Sequence, residues 1–279
     1  MSGKTRLGWI DYLNSLPVYH GLATGAIAHP DITLHRGTPT KLNERLLAGE
    51  LDVSPMSSIE FARHAEELVL LPDLSINSAG FVHSVSLFFR NGIESLHGGR
   101  ICVTGESATS DILLKILLSR RLGIDAKRVA GAPDLEELGK SYEGALYIGD
   151  NAMKAALAYP QLGRIDLGDE WTRWTGTPMV FAVWAARRDL AAARPDALRA
   201  VHDTLLAGKA WGRAHRGEIV DHARRQLFLS RAYMERYFRD LNYDLDAPKL
   251  AGLRRYYEEA HAAGELARVP ALAPMEVRA

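Results

Sequence analysis

Thiol chemistry is almost absent from this chain. Cys102 is its single cysteine, so neither an internal disulfide nor a cysteine-based metal site can form within it. Cys102 stands in the apolar run Ile101-Cys102-Val103 and reads as a small buried hydrophobe. A surplus of one charge is absent too: 34 Lys and Arg balance 34 Asp and Glu. A nucleic-acid binder should carry a basic excess. The basic pairs Arg120-Arg121, Arg187-Arg188 and Arg254-Arg255 are scattered and read as solvated helix faces or strand exits. No run of 18 apolar residues occurs, so no transmembrane helix is expected. The segment up to Trp9 has no apolar h-region, so no secretory signal is expected. A soluble cytoplasmic protein without nucleic-acid or membrane partners is the expectation. Nucleotide-binding glycine loops, the Gly-x-Ser-x-Gly elbow and His-Glu-x-x-His are all missing. No cofactor and no metal are expected.

What is present is core material. Of 279 residues, 47% are hydrophobic, enough for one large domain or two ordinary ones. The first half alternates strand and helix patterns. Leu7–Ile10, Ile32–His35 and Leu51–Val53 read as strands. Asn14 or Ser15 can cap a helix with Pro17 in its first turn, and Thr38-Pro39-Thr40 opens another that stops at Gly49. Ser57-x-x-Glu60 has the spacing of a capping box. Phe81–Phe89 reads as a long strand, with His83 on one face and Ser84 and Ser86 on the other. A second series follows: strands at Arg100–Val103 and Gly144–Ile148, and helices at Ile112–Leu117 and Ala152–Ala158. Met179–Ala186 is a strand returning the chain. From Pro195 the pattern is helical, with Leu198, Val201 and Leu205 in one stripe, ending in a tail from Pro270 to Ala279.

This alternation implies an α/β protein with mixed sheets in two lobes, crossed twice by the chain, with a ligand cleft between them. The expected lobes are residues 1–88 plus 181–279, and 89–180. Ligands of such sheets collect at strand carboxyl ends. Polar, uncharged junctions stand there at Asn14-Ser15, Ser54–Ser58, Ser107–Ser110 and Asp150-Asn151, where helix N-termini offer free N–H groups to a small anion. Each also has a plain reading as a helix cap. The usual bases are poorly placed. His215 and His222 read as surface or packing residues, Asp11 and Asp150 as caps, Trp171 and Trp174 as core.

Several stretches together carry a resemblance. They are Tyr12-Leu13-Asn14-Ser15-Leu16-Pro17, Leu51–Ala62, Leu71-Pro72-Asp73, Gly80–Val85, Ser107-Ala108-Thr109-Ser110, Ile148-Gly149-Asp150 and Trp174–Trp184. In this order, over residues 7–187, the chain resembles the MqnA family, chorismate dehydratases of the futalosine route to menaquinone. The resemblance implies a type II periplasmic-binding-protein-like fold and a hydro-lyase, a carbon–oxygen lyase, that turns chorismate into 3-[(1-carboxyvinyl)oxy]benzoate. It implies Asn14 and Ser84 as the groups that hold and activate substrate. Tyr12, Ser15, Ser57, Ser58, Ser86, Ser107, Thr109, Ser110, Asp150, Thr177 and Met179 are the accompanying substrate-binding candidates. Ala108 departs from the pattern, which often has Arg there. Alternative readings are a solute-binding protein for a small carboxylate and the sister enzyme that makes dihydroxynaphthoate.

Overall fold

The computed structural model describes residues 3–275. The chain begins with β1 (Thr5–Ile10), α1 (Leu16–Ala23), β2 (Ile32–Gly37), α2 (Pro39–Leu47), β3 (Val53–Ser57), α3 (Ser58–Arg63) and β4 (Leu68–Ser78). It continues through β5 (Val85–Phe89), β6 (Arg100–Val103), α4 (Ala108–Ile116), β7 (Lys127–Ala130), β8 (Gly144–Ile148), α5 (Gly149–Ala158), β9 (Gly163–Asp166) and α6 (Leu167–Thr175). It then returns along β10 (Met179–Arg187) to α7 (Arg188–Ala193), α8 (Pro195–Ala214), α9 (Arg216–Leu227), α10 (Arg231–Asp240), β11 (Leu241–Asn242) and α11 (Ala247–Ala262).

Among the described residues these strands form two sheets, ordered β11-β4-β10-β3-β1-β2 and β7-β6-β8-β5-β9. Each sheet with its helices is one lobe. Both sheets are mixed, as expected: β10 runs antiparallel to β3 and β4, and β5 antiparallel to β8 and β9. The first lobe is pinned by aromatics. Trp9 stacks on Tyr19 at 5.4 Å and Tyr19 on Trp184 at 6.2 Å. The buried Tyr19 hydroxyl donates to the Gly8 carbonyl (2.6 Å) and accepts from the Trp184 indole (3.0 Å), so no polar atom of this stack is stranded. The stack fixes the end of β1, where the loop into α1 begins. The stripe Leu198, Val201 and Leu205 is buried, as its spacing predicts.

Four expectations are corrected. First, the strand expected from Phe81 begins only at Val85. His83 adopts φ +61°, and the Val82 and His83 N–H groups donate to the Asp166 carboxylate instead of joining a ladder. Phe81 is correspondingly exposed and shares no strand face with Val85. Second, β5 is held by β8 and β9, so the chain crosses between lobes over residues 79–84. The expected boundary at 88 cuts through that strand. Likewise β10 lies wholly in the first sheet from Met179, two residues before the expected return at 181. Third, Ser54–Ser57 are strand β3, not a turn, and the capping box does not form. Ser57 makes no cap bond, and Glu60 pairs instead with Arg63 at 2.6 Å. Fourth, β4 was not expected, because Pro72 and Asp73 interrupt its pattern. Asp73 sits at φ 60°, the β4–β10 register shifts twice, and β11 joins β4 only at Asn77 and Ser78. Pro72 lies between Leu70 and Ser75, where the β4–β10 pairing is interrupted and a missing N–H is tolerated. The expected tail is ordered through Met275, whose N–H donates to the Leu70 carbonyl (2.8 Å); residues 276–279 lie outside the described ones.

Candidate active site

The loop after β1 is folded by one buried hydroxyl. Ser15 Oγ lies 2.7 Å from the Ile10 carbonyl and 2.9 Å from that of Tyr12, and accepts the Trp9 indole N–H at 2.9 Å. Ser15 is fully buried and fully used. It does not line the cavity between the lobes, and its bonds hold the loop that carries Tyr12 and Asn14 there.

There the lobes enclose a small cavity of about 50 Å³. The first lobe contributes Tyr12, Asn14, Ser57 and Phe181. The crossing segment and second lobe contribute Ser84, Ser107, Ser110 and Gly149. Ile10, Ile76, Val82, Val85 and Ile148 supply apolar wall, which sequence reasoning missed because such residues look like any other core. Among the described residues no Lys, Arg, His, Asp or Glu lines it. A roomier groove between α3 and residues 265–275 shares no residue with these strand-end loops.

The polar groups are arranged to receive something. The Asn14 Oδ1 is buried and has no partner among the described residues. Ser84 Oγ makes only a long bond to the Val82 carbonyl (3.2 Å). Ser57 has its hydroxyl free because no cap uses it. Ser107 caps α4 by accepting from the Ser110 N–H (3.3 Å), and the two hydroxyls lie 2.9 Å apart. Ala108 opens α4 with no side-chain donor, so this helix end offers N–H groups and hydroxyls alone.

The remaining candidates sit elsewhere. Ser58 and Thr109 are buried and face each other at 3.4 Å; Thr109 also accepts from the Ile59 N–H at 3.3 Å. They join the lobes and do not line the cavity. Ser86 is fully buried on β5, on the strand face opposite Val85, and is outside the cavity. Thr177 bonds Thr175 at 2.9 Å, and Met179 is buried in β10 opposite Ser78; neither reaches the cavity. His222 contacts Gln226 (2.9 Å) and His215 stacks on Trp211 at 4.2 Å, both as packing residues.

Three bonds cross the cleft mouth. The Tyr12 hydroxyl donates to Glu106 at 2.7 Å, the Thr40 hydroxyl to the Gly105 carbonyl at 2.7 Å, and the Leu13 N–H to Asp150 at 3.2 Å. Burial and the Glu106 carboxylate push the Tyr12 phenol far above its ordinary range, so it remains a donor. Gly149 is required here: it sits at φ +59°, and a Cβ would stand 2.9 Å from the Tyr12 ring. Asp150 therefore holds the loop instead of touching the cavity, and its pKa is pushed up to about 6 by burial, opposed by the Leu13 N–H. Because the folded value lies above the unfolded one, the folded chain binds more protons between about pH 4 and 6, and stability falls as pH rises through that window. Asp150→Asn should lift the penalty. Relative to the parent its stability should grow from pH 4 to pH 7 by about 2 kcal/mol, read by urea melts at both pH values. A constant difference would count against a buried, ionising Asp150.

Two mixed sheets with a cleft at their strand ends define a two-lobed, periplasmic-binding-protein-like fold. The chain superimposes on a protein of Archaeoglobus fulgidus with a TM-score of 0.76 at 20% identity, covering 94% of this chain and 98% of that one. It superimposes on the alkanesulfonate-binding protein SsuA from Xanthomonas axonopodis pv. citri, bound to MOPS, with a TM-score of 0.68 at 16% identity, covering 96% and 95%. By sequence it is 33% identical over 273 residues to the chorismate dehydratase of Thermus thermophilus, covering 90% of this chain and 93% of that one. It is 23% identical over 274 residues to the 1,4-dihydroxy-6-naphtoate synthase of the same organism, covering 95% and 97%. A menaquinone biosynthesis family profile matches residues 5–262, and the chain belongs to that family.

Proposed function

We propose that this chain is a chorismate dehydratase acting in menaquinone biosynthesis. The observation that carries the reading is its 33% identity to a dehydratase over nearly the whole chain, against 23% to the sister synthase. The cavity supports the same reading. Chorismate carries two carboxylates, and a neutral wall of N–H and hydroxyl donors suits them.

Elimination removes a proton from the ring carbon bearing the enol ether, and its electron pair becomes a ring double bond. The neighbouring C–O bond breaks, the hydroxyl leaves as water, and the ring becomes aromatic. A side-chain base does not line the cavity. The substrate's own enolpyruvyl carboxylate is the proton acceptor in this reading, and it passes that proton to the departing hydroxyl, which leaves as water. Asn14, with an unused Oδ1 and an amide that can donate, orients that carboxylate or the leaving hydroxyl. Ser84 donates to the leaving oxygen. Orientation in a closed, largely apolar cavity supplies much of the acceleration. Ser57, Ser107 and Ser110 hold the second carboxylate. The cytoplasm is the proposed setting, and no helix among the described residues is long and apolar enough to cross a membrane.

The direct test mixes purified chain with chorismate and looks by mass for a product lighter by one water. No product, together with tight binding of another small carboxylate, would favour the solute-binding alternative. Closure should also be visible in the kinetics. Tyr12→Phe deletes the bond to Glu106 while keeping the ring on Gly149. A charge-assisted bond of this kind is worth about 1.5–3 kcal/mol before screening, so KM should rise roughly tenfold, with kcat changed less.

A further inference from the structure

We propose that the Tyr237 hydroxyl is the donor that orients and polarises Ser84 during the elimination, which makes α10 part of the site. The inference deepens the dehydratase reading and rests on it. Tyr237 projects from the buried face of α10, beside Met234 and Phe238. Its ring meets His83 edge-on at 6.3 Å, and His83 Nε2 lies 2.8 Å from Asp240 at the end of the same helix. α10 thus braces the strained crossing segment that carries Ser84.

The Tyr237 hydroxyl neighbours Ser84, the residue after His83, without being hydrogen-bonded to it in this structure. It is fully buried and has no hydrogen-bond partner among the described residues. Burial pushes the phenol well above its ordinary range, so it keeps its proton and can act as a donor. In the structure the Ser84 hydrogen points at the Val82 carbonyl over 3.2 Å, a weak bond. To serve the leaving oxygen, that hydrogen must turn into the cavity. The Ser84 lone pairs then accept from Tyr237, and the chain Tyr237 to Ser84 to leaving oxygen strengthens cooperatively. No atom changes owner through Tyr237. It is a positioning residue acting through Ser84.

A purely space-filling tyrosine makes the opposite prediction, because phenylalanine would fill the same space without a stranded hydroxyl. Tyr237→Phe should lower kcat about tenfold with KM within about twofold, while the melting temperature stays equal or rises. In a Ser84→Ala background the same change should add nothing, since the group it acts through is gone. Unchanged kcat in Tyr237→Phe, with Ser84→Ala strongly impaired, overturns the inference and leaves the dehydratase site standing. Full turnover by Ser84→Ala overturns the site assignment itself. Should Tyr237→Phe fail to fold, fluorotyrosine incorporated at position 237 keeps the shape and donates more strongly. A raised kcat is then expected, and an unchanged one rejects the proposal.

Discussion

Ser84→Ala is expected to turn chorismate over at least a hundredfold more slowly than the parent, with KM shifted only a few-fold. In the proposed elimination Ser84 donates to the oxygen where charge develops, so its bond would strengthen as the C–O bond breaks. Such a contact is lost from kcat and barely from ground-state binding. Removing one donor to a developing oxyanion costs about 10²–10³ in kcat elsewhere. No other hydroxyl can take over easily. Ser57, Ser107 and Ser110 line the same cavity but come from β3 and the start of α4, whereas Ser84 comes from the crossing segment. Asn14→Ala should lower kcat similarly, and raise KM more if the amide also holds a carboxylate. Steady-state kinetics on the two variants settle the point: near-full kcat in both would falsify the assignment.

Asp166→Ala is expected to cost about 3–5 kcal/mol of stability. Its carboxylate accepts four backbone N–H groups: Val82 at 3.1 Å, His83 at 2.7 Å, Gly168 at 3.0 Å and Asp169 at 3.1 Å. Two of those cap α6. The other two hold the turn in which His83 takes φ +61° and from which Ser84 projects. Alanine leaves all four donors without an acceptor in a buried place, and each such group costs about 1–3 kcal/mol before water or relaxation relieves it. Asp166→Asn keeps one acceptor oxygen but sets an amide against one of the donors, and should fall between. Guanidinium melts give the ranking. An alanine variant within about 1 kcal/mol of the parent would mean that this segment is held by its packing alone. Activity should fall with stability, because the Ser84 position depends on the same bonds.

The strand-end junctions were legible because they are local chemistry. Short polar residues after an apolar run mark a chain that leaves a sheet and starts a helix, and β8 and α4 lie where that pattern puts them. The same locality misled at Ser57. Its spacing to Glu60 is that of a reciprocal cap, but Arg63 offers Glu60 a stronger partner, and the hydroxyl is left for the cavity. The crossing segment reads as strand because Phe81–Phe89 alternates well. What breaks it is a carboxylate 83 residues further along the chain, which no window of local sequence contains.

Composition and patterning settled the fold class, the neutral character of the cleft and the junctions where its polar walls arise. These follow from hydrophobic period and turn chemistry, which act over a few residues. Which hydroxyls face the cavity, and which are spent on folding, was decided only in three dimensions. Ser15 and Ser57 are both small hydroxyl residues at helix starts, yet the first is consumed by Trp9 and two carbonyls while the second is free. The bonds that close the site, Tyr12 to Glu106 and Leu13 to Asp150, join residues 94 and 137 positions apart. Such pairs exist only once two independently patterned lobes have packed against each other.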